Sequence, residues 1–195
     1  MMNMNWDEKL NIQTEGLDES HADYHHFRYE PTPYEVLERI LDTGLITEKN
    51  HLMDMGCGKG RVSFFLSMFT GCKSTGVDFD SHLIELANQN KTHYPKSTLV
   101  NFVCQHAETV ELSDEDVFYF FNPFSEKILR AVMSRIIESY YDSPRKIRLF
   151  FYYPSHDVLA YLTSLNELIF YDEIDCQDLY EQEDERERVM IFEII

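Results

Sequence analysis

The sequence has little positive charge: 17 lysines and arginines stand against 35 aspartates and glutamates, for a net charge of −18. A field of that sign repels phosphate backbones, which argues against a nucleic-acid partner unless basic side chains gather locally. The best such cluster, Arg145-Lys146-Ile147-Arg148, is short and leads into an apolar run. A basic protein or a small amine is the better-tolerated partner. Cysteine is sparse too. The four, at 57, 72, 104 and 176, stand singly with no C-x-x-C pair, so neither a zinc site nor a disulfide framework is expected. His21, His25 and His26 have i, i+4 spacing but no accompanying helix pattern or fourth ligand, so no metal is expected there either. No apolar stretch is longer than a strand, which excludes a membrane-spanning helix. The opening MMNMNWDEK lacks a basic region followed by an apolar one, so a cytoplasmic protein is the expectation.

What is present is a chain of 195 residues, 44% hydrophobic and 14% aromatic, enough to bury the core of one domain. Residues 1–28 are polar without a clear period and are expected to be an N-terminal extension, able to order over a ligand as a lid. The domain proper is expected over 29–195. Thr32 as N-cap, Pro33 at the first helical position and Glu35 three residues after the cap form a capping box, with Val36, Leu37, Ile40 and Leu41 on one helical face and Gly44 as the stop. Strand patterns then fall at 52–55, 74–78, 99–104, 117–121, 147–153, 168–174 and 189–195. Helical patterns separate most of them: 62–69, a helix from Ser81, a long one after Ser125, and 158–165. The acidic stretch Glu181 to Glu187 has no apolar period and is expected to be a solvated loop, which makes the last two strands an antiparallel pair. The fold class is therefore α/β, a mostly parallel sheet with helices on both faces and an antiparallel last strand.

Glycines at 56, 58 and 60 interrupt this pattern where the first strand feeds a helix, in MDMGCGKGRVSFF. Such a turn lets a ligand approach the main chain closely at the carboxyl edge of an open α/β sheet. It is not a dinucleotide fingerprint, because Arg61 stands where glycine or alanine is needed. Asp78 ends the next strand, 22 residues beyond Gly56, a spacing that suits a carboxylate bonding ribose hydroxyls. The ligand is expected to contain a nucleoside, and Phe79 is a candidate for the face of its base.

LMDMGCGKGR, with GVDFD following, resembles the glycine motif and the acidic second motif of the class I S-adenosylmethionine-dependent methyltransferases. The resemblance implies a Rossmann-like seven-stranded sheet with a reversed last strand and S-adenosyl-L-methionine as cofactor. It implies that Asp54, Gly56, Cys57, Gly58 and Gly60 line the methionine part and that Asp78 holds the ribose. At the end of the third strand, Gln105 and His106 stand where the family usually places an acidic residue near the adenine amine. Asn122-Pro123-Phe124 is similar to the N-P-P-[YF] motif of amino-group methyltransferases, one proline shorter, and implies a nitrogen acceptor held by the asparagine oxygen and an adjacent carbonyl. Tyr29 and Thr32 sit in a stretch similar to the Y-x-P-T-P segment of protein-lysine-directed members, which implies contact with the methionine moiety. His106 and His156 lie just past strand ends and are candidate general bases. The function expected is methyl transfer to a nitrogen of a protein or small molecule. A nucleic-acid N-methyltransferase and a non-catalytic S-adenosylmethionine-binding module are the rivals.

Overall fold

The computed structural model describes residues 5–16, 29–122, 124–182 and 184–195. Seven strands, β1 (His51–Met55), β2 (Lys73–Asp78), β3 (Val100–Cys104), β4 (Val117–Phe121), β5 (Arg148–Tyr152), β6 (Leu168–Asp175) and β7 (Arg188–Ile194), form one sheet in the order β3-β2-β1-β4-β5-β7-β6. The pairs from β3 to β5 are parallel, and β7 runs antiparallel to both of its neighbours. The expected sheet, with its reversed last strand, is what forms.

Alternation along the strands explains why both faces carry helices. On β4, Val117 and Tyr119 face one side with Leu52, Phe150 and Ile191, covered by α2 (Tyr34–Asp42), α3 (Arg61–Thr70) and α4 (Ser81–His93). Phe118 and Phe120 face the other with Met53, Leu149 and Phe192, covered by α5 (Glu126–Asp142) and α6 (His156–Ser164). Phe120 and Phe151, paired in register on adjacent strands, stack with centroids 4.5 Å apart and planes 5° from parallel. The strand order changes direction between β1 and β4, so a crevice opens beyond their carboxyl ends, where ligands bind in such sheets.

Three local expectations differ from the structure. Thr32 is not a cap: α2 begins at Tyr34 with Pro33 as its N-cap and no side-chain capping bond. The Thr32 hydroxyl has a buried partner instead, the Tyr119 hydroxyl at 2.9 Å, and a hydroxyl sealed from water is held more firmly by that bond than by a helix end open to solvent. Residues 5–16 of the N-terminal extension, read as polar without a clear period, carry ordered structure. They form α1 (Trp6–Leu10) and a docked strap, with Leu10 and Ile12 buried and the Trp6 ring edge-on to Phe65 at 5.5 Å. Asn5 caps this helix through Glu8 N, a signal present in the sequence as Asn followed three residues later by Glu. The acidic stretch before β7 does more than stay solvated: Glu187 accepts from the Tyr152 hydroxyl at 2.6 Å and Asp184 from the Tyr153 hydroxyl at 2.7 Å. His21, His25, His26 and Pro123 lie outside the described residues.

Replacing Phe120 by alanine removes a ring from a close-packed core and is expected to cost about 3–5 kcal/mol, a fall in Tm on the order of 10 °C. Thermal denaturation followed by circular dichroism reads it directly.

Candidate functional site

The glycine turn from 56 to 60 is closed by its own neighbours. Gly56 N and Cys57 N both donate to Val77 O, at 2.8 and 3.0 Å, Gly60 N donates to Cys57 O at 2.8 Å, and Gly58 N donates to the Asp78 carboxylate at 2.9 Å. These four amides are therefore not an open cradle for an anion, unlike the turn of a phosphate-binding loop. The glycines serve close packing instead. A Cβ on Gly58, at φ +52°, would lie 2.1 Å from the Tyr29 ring, and one on Gly60, at φ +88°, would lie 2.6 Å from Phe102. Asp78 is 9% exposed, and its second oxygen accepts from Asp80 N at 3.0 Å.

Above this turn lies an open cavity of about 950 Å³, counting the solvent at its mouth. Tyr29, Thr32, Asp54, Gly56, Cys57, Asp78, Phe79, His106, Asn122 and Phe124 all line it; Gly58 and Gly60 are not in its wall. Carboxyl ends of β1, β2, β3 and β4 thus bring together residues separated by up to seventy positions in the chain. Phe79 and His106 form a near-parallel pair on the rim, centroids 6.0 Å apart and planes at 18°. Phe124 is 7% exposed and packs edge-on to Phe120, so it is anchored in the core as it meets the cavity. Asn122 follows β4 in the left-handed region at φ +41°, half-buried, and its side-chain amide bonds to no described residue. A smaller apolar recess behind it, lined by Phe151, Tyr152, Pro154 and Val158 among others, shares Asn122 and Phe124 with the main cavity. His156 is not in the wall; it pairs with Glu185 at 2.9 Å on the surface.

Among the described residues, five carboxylates line the cavity, Glu30, Asp54, Asp78, Asp80 and Glu108, against one guanidinium, Arg61. Asp54 is 2% exposed, and its hydrogen-bond partner is the Ser63 hydroxyl at 3.3 Å. Burial pushes its pKa up to about 7; the Ser63 bond opposes the rise and the nearby Asp78 charge adds to it. Burial likewise pushes the Tyr29 hydroxyl above its usual range. Arg61, 7% exposed, was visible in the sequence only as a residue out of place in a dinucleotide motif. Its Nε donates to the Thr14 hydroxyl at 2.7 Å and its Nη1 to Thr32 O at 3.2 Å, and it lies over the Tyr34 ring at 4.3 Å. Tyr119, buried with its hydroxyl on Thr32, is a second wall residue that strand patterning alone hides inside an aromatic run.

Residues 52–140 match the model of a family described as a methyltransferase domain. No curated protein matches the sequence. Among solved structures, an RNA methyltransferase from Salinibacter ruber, crystallised with S-adenosyl-L-homocysteine, is 20% identical and aligns over 85% of this chain and 94% of its own, with a TM-score of 0.58. A tRNA (uracil-54, C5)-methyltransferase from Pyrococcus abyssi, also with S-adenosyl-L-homocysteine, is 13% identical over 86% of this chain, which spans 40% of it, at a TM-score of 0.61. A precorrin-6y C5,15-methyltransferase from Geobacter metallireducens GS-15 is 16% identical over 94% of this chain and 98% of its own, at a TM-score of 0.59. At these identities the likeness is one of fold. No helix among the described residues is long and apolar enough to cross a membrane.

The raised Asp54 pKa has a measurable consequence. In the unfolded chain the group titrates near 3.8, so the folded, unliganded protein loses stability as pH rises from about 4 to about 7 and no more above it. Asp54→Asn removes that loss. Its Tm gain over the wild type should grow across the same window and level off at roughly 5–10 °C by pH 8, as read by calorimetry at a series of pH values.

Proposed function

We infer that this chain, whose residues 52–140 match a methyltransferase-domain model, is an S-adenosylmethionine-dependent methyltransferase acting on a nitrogen of a protein or small-molecule acceptor. The observation that carries the reading is the charge of the cavity: among the described residues five carboxylates and one buried guanidinium line it, beside a turn in which the amides of Gly56, Cys57, Gly58 and Gly60 are already used. A ligand with phosphates would bring several negative charges into a wall where, among the described residues, carboxylates outnumber the guanidinium five to one. A nucleoside bearing a sulfonium, an ammonium and one carboxylate matches it sign for sign.

The donor set fits that ligand. Asp54 is the buried acceptor for the ammonium, and the Arg61 guanidinium is, among the described residues, the cation in the wall for the carboxylate. Asp78, fixed by the amides of Gly58 and Asp80, holds the ribose hydroxyls, with Phe79 and His106 at the base. The sulfonium supplies an activated methyl group. The chain's part is to hold a nitrogen lone pair in line with the breaking S–CH₃ bond: the N–CH₃ bond forms, sulfur keeps the electron pair as a neutral thioether, and the nitrogen's proton passes to water. Asn122, its amide bonded to no described residue, accepts an N–H of the acceptor and fixes that direction. Phe124 limits the space beneath it.

The rival reading, a nucleic-acid N-methyltransferase, draws on the same Asn122 and on RNA-modifying proteins of like fold. Among the described residues the cavity wall offers a polyanion one cation, Arg61, and on this reading the cofactor's carboxylate takes it. An acidic wall and a net charge of −18 favour a cationic or neutral amine.

Calorimetric titration is expected to give micromolar binding of S-adenosyl-L-homocysteine and none of NAD; binding of NAD, or of neither, overturns the reading. With an acceptor found by screening basic proteins, amines and RNA for methyl incorporation, Asn122→Ala should lower kcat about a hundredfold while leaving S-adenosyl-L-homocysteine affinity within about twofold. Turnover on RNA alone would favour the rival.

A further inference from the structure

We propose that the N-terminal strap, residues 5–16, is part of the cofactor-binding machinery, with Asp7 as a positioning residue that acts through Thr14 on Arg61. The proposal rests on the reading of Arg61 as the partner of the ligand carboxylate.

Arg61 opens α3 immediately after the glycine turn, buried to 7% exposure. A buried guanidinium needs both charge compensation and acceptors for its donors. The fold of the domain itself supplies one acceptor, Thr32 O, on Nη1. Everything else comes from the strap. Thr14 Oγ1 accepts from Arg61 Nε at 2.7 Å and donates its own hydrogen to Asp7 Oδ1 at 2.7 Å, so the carboxylate fixes which way the hydroxyl points. The other Asp7 oxygen accepts from Thr14 N at 2.5 Å, which locks the two residues to each other, and the Tyr34 hydroxyl also donates to Asp7. Asp7 is 6% exposed and approaches Arg61 Nη2 to 3.8 Å, close enough for charge compensation and too far for a hydrogen bond. Nη2 is therefore held in place, with no hydrogen-bond acceptor among the described residues, on a side chain that lines the cavity.

The strap is pinned at each step to parts of the same site. Asn90 exchanges two hydrogen bonds with the Gln13 backbone, at 2.8 and 3.1 Å, while donating to Lys59 O in the glycine turn at 3.2 Å. Lys59 Nζ donates to Glu15 O at 2.8 Å, and the hydroxyl of Tyr29, whose ring covers Gly58, donates to Thr14 O at 2.6 Å. A ligand group that takes the free donors of Arg61 is thus bound to a side chain that the strap orients. By linkage, strap docking and ligand binding strengthen each other.

The test uses the full chain and two ligands: S-adenosyl-L-homocysteine, and 5′-methylthioadenosine, which keeps the nucleoside and thioether but lacks the amino-acid group. Asp7→Asn and Thr14→Val should each weaken the first about tenfold and leave the second within about twofold, whereas Thr14→Ser, which keeps the hydroxyl, restores wild-type affinity for both. A merely structural strap would lower Tm and weaken both ligands alike, or neither, and either result overturns the proposal. Should Asp7→Asn fail to fold, the Thr14 pair decides alone, since valine nearly matches threonine in shape. A wild-type protein that binds neither ligand sinks the cofactor reading itself; wild-type binding with unaltered variants sinks only the role of the strap.

Discussion

The turn between β1 and α3 has to satisfy its own backbone, and much of the site follows from that. Buried amides left without acceptors are costly, and here the acceptors come from the end of β2: Val77 O takes two, and the Asp78 carboxylate takes a third. The arrangement requires β2 to lie directly beside β1 and to end level with it, which the parallel register from His51↔Lys73 to Met55↔Val77 provides. It also requires bare glycine where Phe102 of β3 packs against Gly60 and Gly76. Three strands are thereby locked to one turn, and Asp78 is held in place by its bonds to backbone before any ligand arrives.

Two buried charges flank this turn, and they are treated differently. Arg61 is compensated by Asp7 and given acceptors by Thr14 and Thr32. Asp54 receives a bond from Ser63 alone and feels Asp78 as a like charge, so its proton is retained up to about pH 7. A carboxylate kept under that penalty is stabilised by whatever cation reaches it, which is how a site is prepared for its ligand at some cost to the empty protein. By the same contrast, deleting the Asp54 charge and deleting the Asp7 charge are expected to act on stability in opposite directions. One removes an uncompensated burial; the other creates one.

The sheet was legible in the sequence because strand and helix periods differ and the central strands β4 and β5 are short apolar runs buried on both faces. The glycine motif with Asp78 was legible because its spacing reflects a turn and an adjacent strand end, both local. What escaped was long-range. Thr32 reads locally as a cap, and only the folded chain brings the Tyr119 hydroxyl within 2.9 Å of it. Trp6, Leu10 and Ile12 are too few to give a period over a short helix, so a strap that buries Asp7 and Thr14 looks like polar tail. Arg61 is conspicuous in sequence only for being the wrong residue for a dinucleotide. Its function depends on partners 47 and 29 positions away, which no pattern along the chain encodes.

Charge ties the donor side to the acceptor side. On the reading proposed here, transfer converts a sulfonium into a neutral thioether within a wall of five carboxylates and one guanidinium, so the spent ligand is held less strongly than the fresh one by the same residues. A protonated amine is drawn to that wall, yet it must lose a proton to expose its lone pair, and a surrounding negative field holds that proton on. On that reading the polar group at the reacting end is accordingly neutral: Asn122 would direct an N–H without adding charge, with Phe124 and Phe121 beside it in the wall. On the proposed reading, the carboxylates of the wall gather a cation, and an uncharged amide beside buried rings lets it react as a neutral nitrogen. That division of labour places the acidic composition of the whole chain and the plain chemistry of one asparagine in the same mechanism.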